Sequence, residues 1–251
     1  MAESRLHVVL LRYTPNPEEM VAQAAKLCYS PVSIDELQKQ IESKDQSGFI
    51  ERLTDMLHLS PVEHVTFTFG VEGISRACSH QLVRHRLASY SQQSQRYVGQ
   101  QSKSVPSSGK GRSKGFDFVV PPSIEKVAKK QWFIEKMEII QGWYDELVES
   151  LGNTGEGTFE DARFLQPNAA ETKIIITMNA RELLHFFHVR CCNRAQWEIR
   201  SLAIEMLRLA RQVSPYIFKD AGPGCLNNKC PEGKMTCGKM DEVRAKFKSL
   251  T

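Results

Sequence analysis

The sequence predicts an α+β protein: a single compact domain in which a mixed or antiparallel sheet is flanked by long helices. Two observations support this fold class. Segments in which apolar residues recur at every second position, as in half-buried strands, stand among segments with the three- and four-residue spacing of amphipathic helices. The segments follow one another without the regular βαβ rhythm of a doubly wound parallel sheet. A chain of 251 residues is long enough to bury a core without disulfide bridges.

Three segments have the pattern of strands. His7 to Tyr13 (HVVLLRY) is a short aliphatic run, for which we predict a buried strand. From His64 to Glu72, apolar and polar residues alternate, which indicates a half-buried strand. Thr172 to Met178 (TKIIITM) is the third predicted strand.

The first half of the chain also contains helix signals. Ser33 and Glu36 have the spacing of a capping box, which predicts a helix extending to about Glu42. A second helix is predicted near Phe49 to Leu57, and a third from Ile74 to Arg86, with its basic end in an acid-free region.

The second half contains longer apolar periodicities. We predict one amphipathic helix from Ile124 to Leu151, ended by Gly152 and Asn153. A short helix capped by Thr158 follows. The last major helix is predicted to begin near Arg194 and to continue to Val213.

The composition is that of a soluble globular protein, with 33 Lys plus Arg, 29 Asp plus Glu and 41% apolar residues. The longest aliphatic runs, Val8 to Leu11 and Ile174 to Ile176, are too short to span a bilayer. Met1 to Arg5 lacks the apolar core of a signal peptide. The odd number of cysteines, seven, favours reduced thiols. We therefore expect a cytoplasmic protein without a membrane partner.

Positive charge is concentrated in one part of the chain. Residues 73–116 contain no Asp or Glu. This stretch carries eight cationic residues, namely Arg76, Arg84, Arg86, Arg96, Lys103, Lys110, Arg112 and Lys114. Such clustering favours an anionic ligand. Within it, residues 100–115 are rich in Ser, Gly and Lys and are predicted to form a flexible basic surface loop.

The densest functional pattern is RHRLASYSQQSQRY, residues 84–97. Its three arginines and several hydroxyl groups suit phosphate binding, since a guanidinium group donates a planar fork of hydrogen bonds. The glycines of a Walker loop or a dinucleotide-binding fingerprint are absent. Two alternatives remain open at this point: an exposed basic helix end, and a nucleic-acid-binding module that uses residues 76–114.

The segment resembles the RHR-x7-S signature of the flavin-dependent thymidylate synthases, with Arg84, His85, Arg86 and Ser94 in the signature positions. The resemblance extends to SPVEHVTFTF (60–69), FVVPPSI (118–124), MNARELLHF (178–186) and VRCCNRAQWEIR (189–200). It implies one catalytic domain over residues 1–251 that makes dTMP from dUMP. Methylenetetrahydrofolate would be the carbon donor, and FAD reduced by NADPH would supply the hydride. It also implies a homotetramer whose active sites are shared between subunits, and no nucleic-acid partner.

The resemblance assigns roles to individual residues. The implied FAD contacts are Ser60, Arg84, His85, Arg86, Gln92, Asn179, Ala180, Arg181 and His185. The implied nucleotide contacts are Gln81, Leu82, Val83, Arg84, Gln92, Gln93, Ser94, Gln95, Arg96, Arg163 and Arg190. Arg190 is the implied catalytic residue, placed to favour the ionised uracil ring. Gln92 stands where some relatives carry glutamate, and His185 where some carry asparagine.

Two further patterns are the helical spacing of three basic side chains and the positions of the cysteines. Arg181, His185 and His188 are four and three residues apart, which places them on one helical face suited to an anionic cofactor or, alternatively, to solvent. The tail, residues 221–251, is rich in Cys and Gly. Its cysteines lack CxxC spacing, so we predict no metal site, with a three-thiolate site as the alternative. These three are Cys225, Cys230 and Cys237, while Cys191 and Cys192 are interpreted as packing residues.

Overall fold

The computed structural model describes residues 1–102, 115–227 and 229–250. Two compact units make up the chain. Unit 1 comprises Met1–His7, Val71–Arg84 and Ser91–Ile174, and unit 2 comprises Val8–Gly70, His85–Tyr90 and Ile175–Thr251. The expectation of a single domain stays a prediction. Most of the basic loop predicted at residues 100–115 lies outside the described residues.

The described residues form four strands and ten α-helices, and the predicted α+β class is confirmed. The strands are β1 (His7–Tyr13), β2 (Thr66–Ser75), β3 (Ala88–Gln92) and β4 (Glu171–Asn179). The helices are α1 (Pro17–Leu27), α2 (Ile34–Glu42), α3 (Ser47–Asp55), α4 (Arg76–Leu82), α5 (Pro122–Lys126), α6 (Lys130–Ser150), α7 (Glu156–Ala162), α8 (Ala180–Arg190), α9 (Trp197–Val213) and α10 (Met240–Lys248). The antiparallel sheet has the order β1-β2-β4-β3. No helix among these described residues is long and apolar enough to cross a membrane.

The sheet follows the predicted alternation in its central strands. In β2, Phe67 and Phe69 are fully buried, while Thr68 faces the other side and hydrogen-bonds with Thr177 of β4 at 2.9 Å. The prediction of a buried β1 is wrong, because β1 is an edge strand and only Val8 is buried in it. Edge strands have one neighbour, and an aliphatic run does not distinguish them from central strands.

The predicted helix from Ile74 to Arg86 is wrong in length. Helix α4 ends at Leu82, and the chain turns and enters β3 at Ala88, a strand that the sequence analysis missed. The side chain of Ser75 caps the start of α4 by accepting from the Cys78 N–H at 3.0 Å. The RHR segment therefore lies in the connection between a helix and a strand.

The single long helix predicted from Ile124 to Leu151 is divided into α5 and α6. Ala128 has a left-handed backbone with φ of 53°, and its N–H donates to the carbonyl of Glu125. The next N–H, that of Lys129, donates to Ile124, which completes a Schellman motif and ends α5. Glycine usually occupies the left-handed position, so an alanine there is not recognisable as a helix stop.

Other helix predictions differ in their ends. The predicted cap of α2 is confirmed, since Ser33 Oγ accepts from the Glu36 N–H at 3.3 Å. Thr158 does not cap α7 but lies within it. Helices α1 and α10 were missed, and α9 begins at Trp197, three residues after the predicted start.

The apolar stripe of α9 is buried within its own chain. Ile199, Leu202 and Ala203 are fully buried, as are Met206, Leu207 and Ala210. In the same unit, Phe218 packs edge-on against Phe67 and Phe187, with ring centroids 5.3 Å and 5.8 Å away. Burial of these side chains holds α8 in place through Phe187.

Two glycines provide a matched test of backbone constraint. Gly73 has φ of +76°, and a Cβ there would lie 1.9 Å from the carbonyl oxygen of Arg5. Gly142, inside α6, has open space around it. We expect Gly73→Ala to lower the free energy of unfolding by roughly 1–3 kcal/mol. Gly142→Ala should raise it by about 0.5–1 kcal/mol. Urea unfolding of both variants measures this, and equal effects would contradict the role of Gly73.

Candidate active site

Helix α8 presents two different faces within unit 2. Asn179 caps it by accepting from the Glu182 N–H at 2.8 Å. Leu183, Phe186 and Phe187 are buried on its inner side. The other side carries cationic and imidazole side chains. The helix is thus oriented by apolar burial, with its polar groups left for other contacts.

A buried histidine connects the first and last turns of α8. His85 Nδ1 lies 3.2 Å from Glu182 Oε1, and Arg190 Nε donates to His85 Nε2 at 3.0 Å. The ring of Phe186 meets the imidazole edge-on, with centroids 4.9 Å apart. The hydroxyl of Tyr90 donates to the His85 carbonyl at 2.8 Å and so anchors its backbone. Both ring nitrogens of His85 are engaged.

The surroundings keep His85 neutral. Burial is the largest cause that lowers the pKa of His85, and the positive charge of the Arg190 guanidinium lowers it further. Glu182 acts in the opposite direction and raises the pKa, but the net shift is downward. A neutral imidazole carries one proton, and the Arg190 N–H needs an acceptor at Nε2. We therefore assign the proton to Nδ1, where it is donated to the Glu182 carboxylate.

This contact leaves most of the Arg190 donor fork available. Only Nε of the guanidinium is used, and the two terminal amino groups have no hydrogen-bond partner within the described part of the chain. The side chain is half-buried. A guanidinium held at one nitrogen in this way is oriented before a ligand arrives.

The exposed face of α8 forms one wall of a pocket. The pocket has a volume of about 690 Å³ and is lined by Arg181, His185 and His188, as the helical spacing predicts. Leu57, Leu59 and Leu184 supply apolar surface, and Asp55 and Asp220 supply carboxylates. The volume lies within the range of small-molecule sites.

The 3-10 helix Pro61–His64 lies beside α8. Arg181 Nη1 forms an ion pair with Glu63, and the Ala180 N–H donates to the Val65 carbonyl at 2.8 Å. Ser60 immediately precedes this helix and is exposed. Its position is that of a cap, but its side chain makes no capping hydrogen bond.

In unit 1, the predicted polar residues form a separate group. Gln92 Nε2 donates to Ser79 Oγ at 3.0 Å and to Thr172 Oγ1 at 3.1 Å, so this amide is held by structural contacts. Ser94 Oγ accepts from the Arg96 N–H at 3.1 Å. The guanidinium of Arg96 is paired with the carboxylates of Glu156 and Glu160.

Unit 1 also contains groups that suit an anion. Gln95 Nε2 is buried and has no hydrogen-bond partner among the described residues. Burial, followed by the nearby charge of Arg163, lowers the pKa of Arg76. Two guanidinium groups near each other repel, and an anion that lies between or beside them offsets this repulsion. Arg163 is held through Nε, which donates to the Glu160 carbonyl at 3.0 Å.

The remaining predicted contacts differ in accessibility. Val83, Arg84 and Arg86 are exposed, and Gln81 and Gln93 are half-buried. The Leu82 side chain is fully buried in the core, so only its backbone could contact a ligand.

Sequence reasoning missed two residues of these groups. Glu182 was overlooked because it lies 97 residues from His85, and no local spacing connects them. Arg76 lies within the stretch that has no Asp or Glu, and this absence of neutralising carboxylates could have identified it as a candidate anion contact.

These groups define an α+β ligand-binding protein with cationic side chains placed for anionic ligands. Sequence comparison identifies the family. The profile of the thymidylate synthase complementing protein family matches residues 9–216, and the chain belongs to this family.

Full-length relatives agree with this assignment. A flavin-dependent thymidylate synthase of Geobacter sulfurreducens is 53% identical, over 98% of this chain and 100% of the relative. One of Clostridium tetani is 49% identical, over 94% and 95% of the two chains. One of Pyrococcus horikoshii is 39% identical, over 97% of each.

The lowered pKa of His85 has a consequence for stability. Below about pH 6.5, an unfolded histidine gains a proton that folded His85 does not bind. Stability should therefore fall as the pH decreases through this range, until the pH reaches the folded pKa. We expect the difference in unfolding free energy between wild type and His85→Gln to decrease from about pH 8 to about pH 5. Urea unfolding at several pH values measures it. A difference that is constant or increases on acidification would contradict a neutral, buried His85.

Proposed function

We infer that this protein catalyses the reductive methylation of dUMP to dTMP as an FAD-dependent methyltransferase. Methylenetetrahydrofolate is the carbon donor, and NADPH is the reductant of the flavin. Family membership and the 53% identity to a flavin-dependent thymidylate synthase support this reaction. The structural observation that carries it is the Arg190 guanidinium, which His85 and Glu182 hold while its amino groups remain available.

The pocket on α8 supports the binding of FAD. Its volume of about 690 Å³ and its lining by Arg181 and His185 fit a flavin nucleotide with an anionic pyrophosphate. The proposed contacts in unit 2 are Ser60, His85, Arg86, Asn179, Ala180, Arg181 and His185. Arg84 and Gln92 are the proposed contacts from unit 1. Ser60 and the Arg84 to Arg86 block are proposed to come from different subunits. When bound, the reduced flavin supplies the hydride.

The polar group of unit 1 supports nucleotide binding. The buried Gln95 amide and the Arg163 guanidinium can donate to an anionic nucleotide. For Arg96 to bind phosphate, its guanidinium must exchange Glu156 or Glu160 for the ligand. The proposed contacts are Gln81, Leu82, Val83, Arg84, Gln92, Gln93, Ser94, Gln95, Arg96, Arg163 and Arg190.

Arg190 is the proposed catalytic residue. Its free amino groups can donate to uracil, and its positive charge stabilises the ionised form of the ring. His85 accepts from Nε and so fixes the plane of the fork, which reduces the ordering needed on binding.

No protein nucleophile is needed when the hydride comes from a flavin. Ser94 therefore binds the nucleotide rather than attacking it. Cys191, next to Arg190, is an unsuitable nucleophile because burial raises the pKa of its thiol. The alternative of a nucleic-acid-binding module is not supported by the family or by the named relatives.

We propose a homotetramer with active sites shared between subunits. Helix α6 carries exposed Trp132, Ile139 and Trp143, which share one face at seven- and four-residue spacing. An exposed apolar face of this kind favours association. The apolar stripe of α9 is unavailable for association because it is buried in its own chain. A cytoplasmic location is also proposed, since all seven cysteines are free thiols.

Arg190→Ala should keep the fold and bound FAD but lose most of its turnover. Removing a charge-assisted hydrogen bond costs roughly 1.5–3 kcal/mol, which lowers kcat/KM by about one to two orders of magnitude. Arg208→Ala, which removes a guanidinium paired with Glu205, is the control and should retain activity. The measurement is dTMP formation, with flavin absorbance as the check on cofactor binding. Near-normal activity of folded Arg190→Ala would defeat the assignment.

Assembly should depend on α6. The double substitution Trp132→Lys and Trp143→Lys places charges on the apolar face and should reduce the mass measured by light scattering. Tyr29→Lys changes an aromatic residue that is 86% exposed on unit 2 and should leave the mass unchanged. FAD should favour the assembled form by mass action. A stable monomer of the wild type with stoichiometric FAD would refute the shared site.

A further inference from the structure

Four cysteine side chains line one small pocket of unit 2. Cys192 lies in the turn between α8 and α9, and Cys225, Cys230 and Cys237 lie between α9 and α10. The pocket has a volume of about 180 Å³, and the four thiols are free. The fold therefore adds a fourth cysteine to the three in the tail, for which the sequence predicted no metal site.

The backbone holds this tail against α8. The Gly224 N–H donates to the His188 carbonyl at 3.3 Å, and a Cβ at Gly224 would lie 2.6 Å from the His188 ring. From α10, Arg244 Nε donates to the Cys225 carbonyl at 2.9 Å. These contacts fix Cys225 beside the turn that carries Cys192.

The three other thiols are close enough to Cys225 to act on it, and two of the four sulfur atoms accept hydrogen bonds. Burial raises the pKa of Cys225, and the neighbouring thiols of Cys230, Cys192 and Cys237 raise it further, which reflects their proximity. The Arg194 N–H donates to Cys192 Sγ at 3.4 Å, and Asn193 Nδ2 donates to Cys237 Sγ at 3.8 Å. N–H donors directed at cysteine sulfur are typical around thiolate ligands of metal clusters.

We propose that Cys192, Cys225, Cys230 and Cys237 bind an iron–sulfur cluster of the [4Fe–4S] class. Four cysteine thiolates are the usual ligand set of such a cluster. Neither the flavin nor the nucleotide enters this argument, so the proposal is independent of the proposed function.

The open volume distinguishes a cluster from a single ion. Four thiolates on one zinc ion lie about 2.3 Å from the metal and enclose no further space. The pocket that these cysteines help to line has a volume of about 180 Å³, which has room for a core of several atoms. Among the described residues, no group of three or more His, Cys, Asp or Glu side chains is already placed to hold a metal ion. The four thiols would therefore have to close around a cluster as it binds.

Cluster binding conserves atoms and charge. Two ferrous ions, two ferric ions and four sulfide ions make a core of charge +2, and no electron transfer is required. Each cysteine loses its thiol proton and forms one Fe–S bond, so four protons leave and the bound cluster carries a charge of −2. Residues 224–239 carry Lys229, Lys234 and Lys239 against Glu232, which lines the pocket, so this stretch has a net positive charge that opposes the charge of the cluster.

The test is the iron, zinc and acid-labile sulfide content of the full chain, produced and purified without oxygen. Because flavin also absorbs visible light, the metals and sulfide are measured chemically, and ⁵⁷Fe Mössbauer spectra identify the cluster. We expect four iron and four sulfide per chain after reconstitution with iron and sulfide salts. Cys192→Ser, Cys225→Ser, Cys230→Ser and Cys237→Ser should each lose nearly all cluster.

Cys28→Ser is the matched control, because Cys28 is exposed and lies outside the pocket, and it should keep the full content. Circular dichroism checks folding, and Cys230→Ser changes only a half-buried residue of the tail, which limits disruption of the core. Stoichiometric zinc without sulfide, a disulfide between these cysteines in the anaerobic protein, no bound metal, or iron that is unaffected by the four substitutions would each overturn the proposal.

Discussion

The hydrogen bonds of the buried His85 imidazole are the constraint on which the candidate active site depends. This ring joins Glu182, in the first turn of α8, to Arg190, at its last turn. A carboxylate and a neutral imidazole at 7% exposure or less stabilise each other, whereas removal of either would leave a buried polar group unsatisfied. The apolar core beneath α8 fixes the position of the helix, and this keeps Glu182 and Arg190 within hydrogen-bond distance of the His85 ring. Apolar packing therefore determines how the Arg190 guanidinium is oriented.

Much of the fold could be predicted from local patterns. Alternation identified β2, and the Ser33 and Glu36 spacing identified the start of α2, because these signals arise from neighbouring residues. The break at Ala128 could not be predicted, since a non-glycine residue adopts the left-handed conformation there. The exposure of β1 could not be predicted either, because position in a sheet depends on which strands pair.

The candidate site shows the same division. The Arg84 to Arg86 segment and the α8 face were recognisable as cationic from sequence, but Glu182 became evident only when the fold placed it beside His85. Cys192 was interpreted as a packing residue because its partners in the thiol pocket lie more than thirty residues away in the chain. In both cases a long-range contact, rather than residue type, defines the role.

The arrangement that orients Arg190 is tested most directly by ¹⁵N NMR of the His85 imidazole in the folded protein at neutral pH. We expect a neutral ring with its proton on Nδ1 and an unprotonated Nε2 that accepts from Arg190. Substitution of Glu182 by Leu should alter the Nδ1 signal, since the acceptor of that proton is removed. A ring protonated on Nε2, or an imidazolium at neutral pH, would contradict the arrangement that orients Arg190.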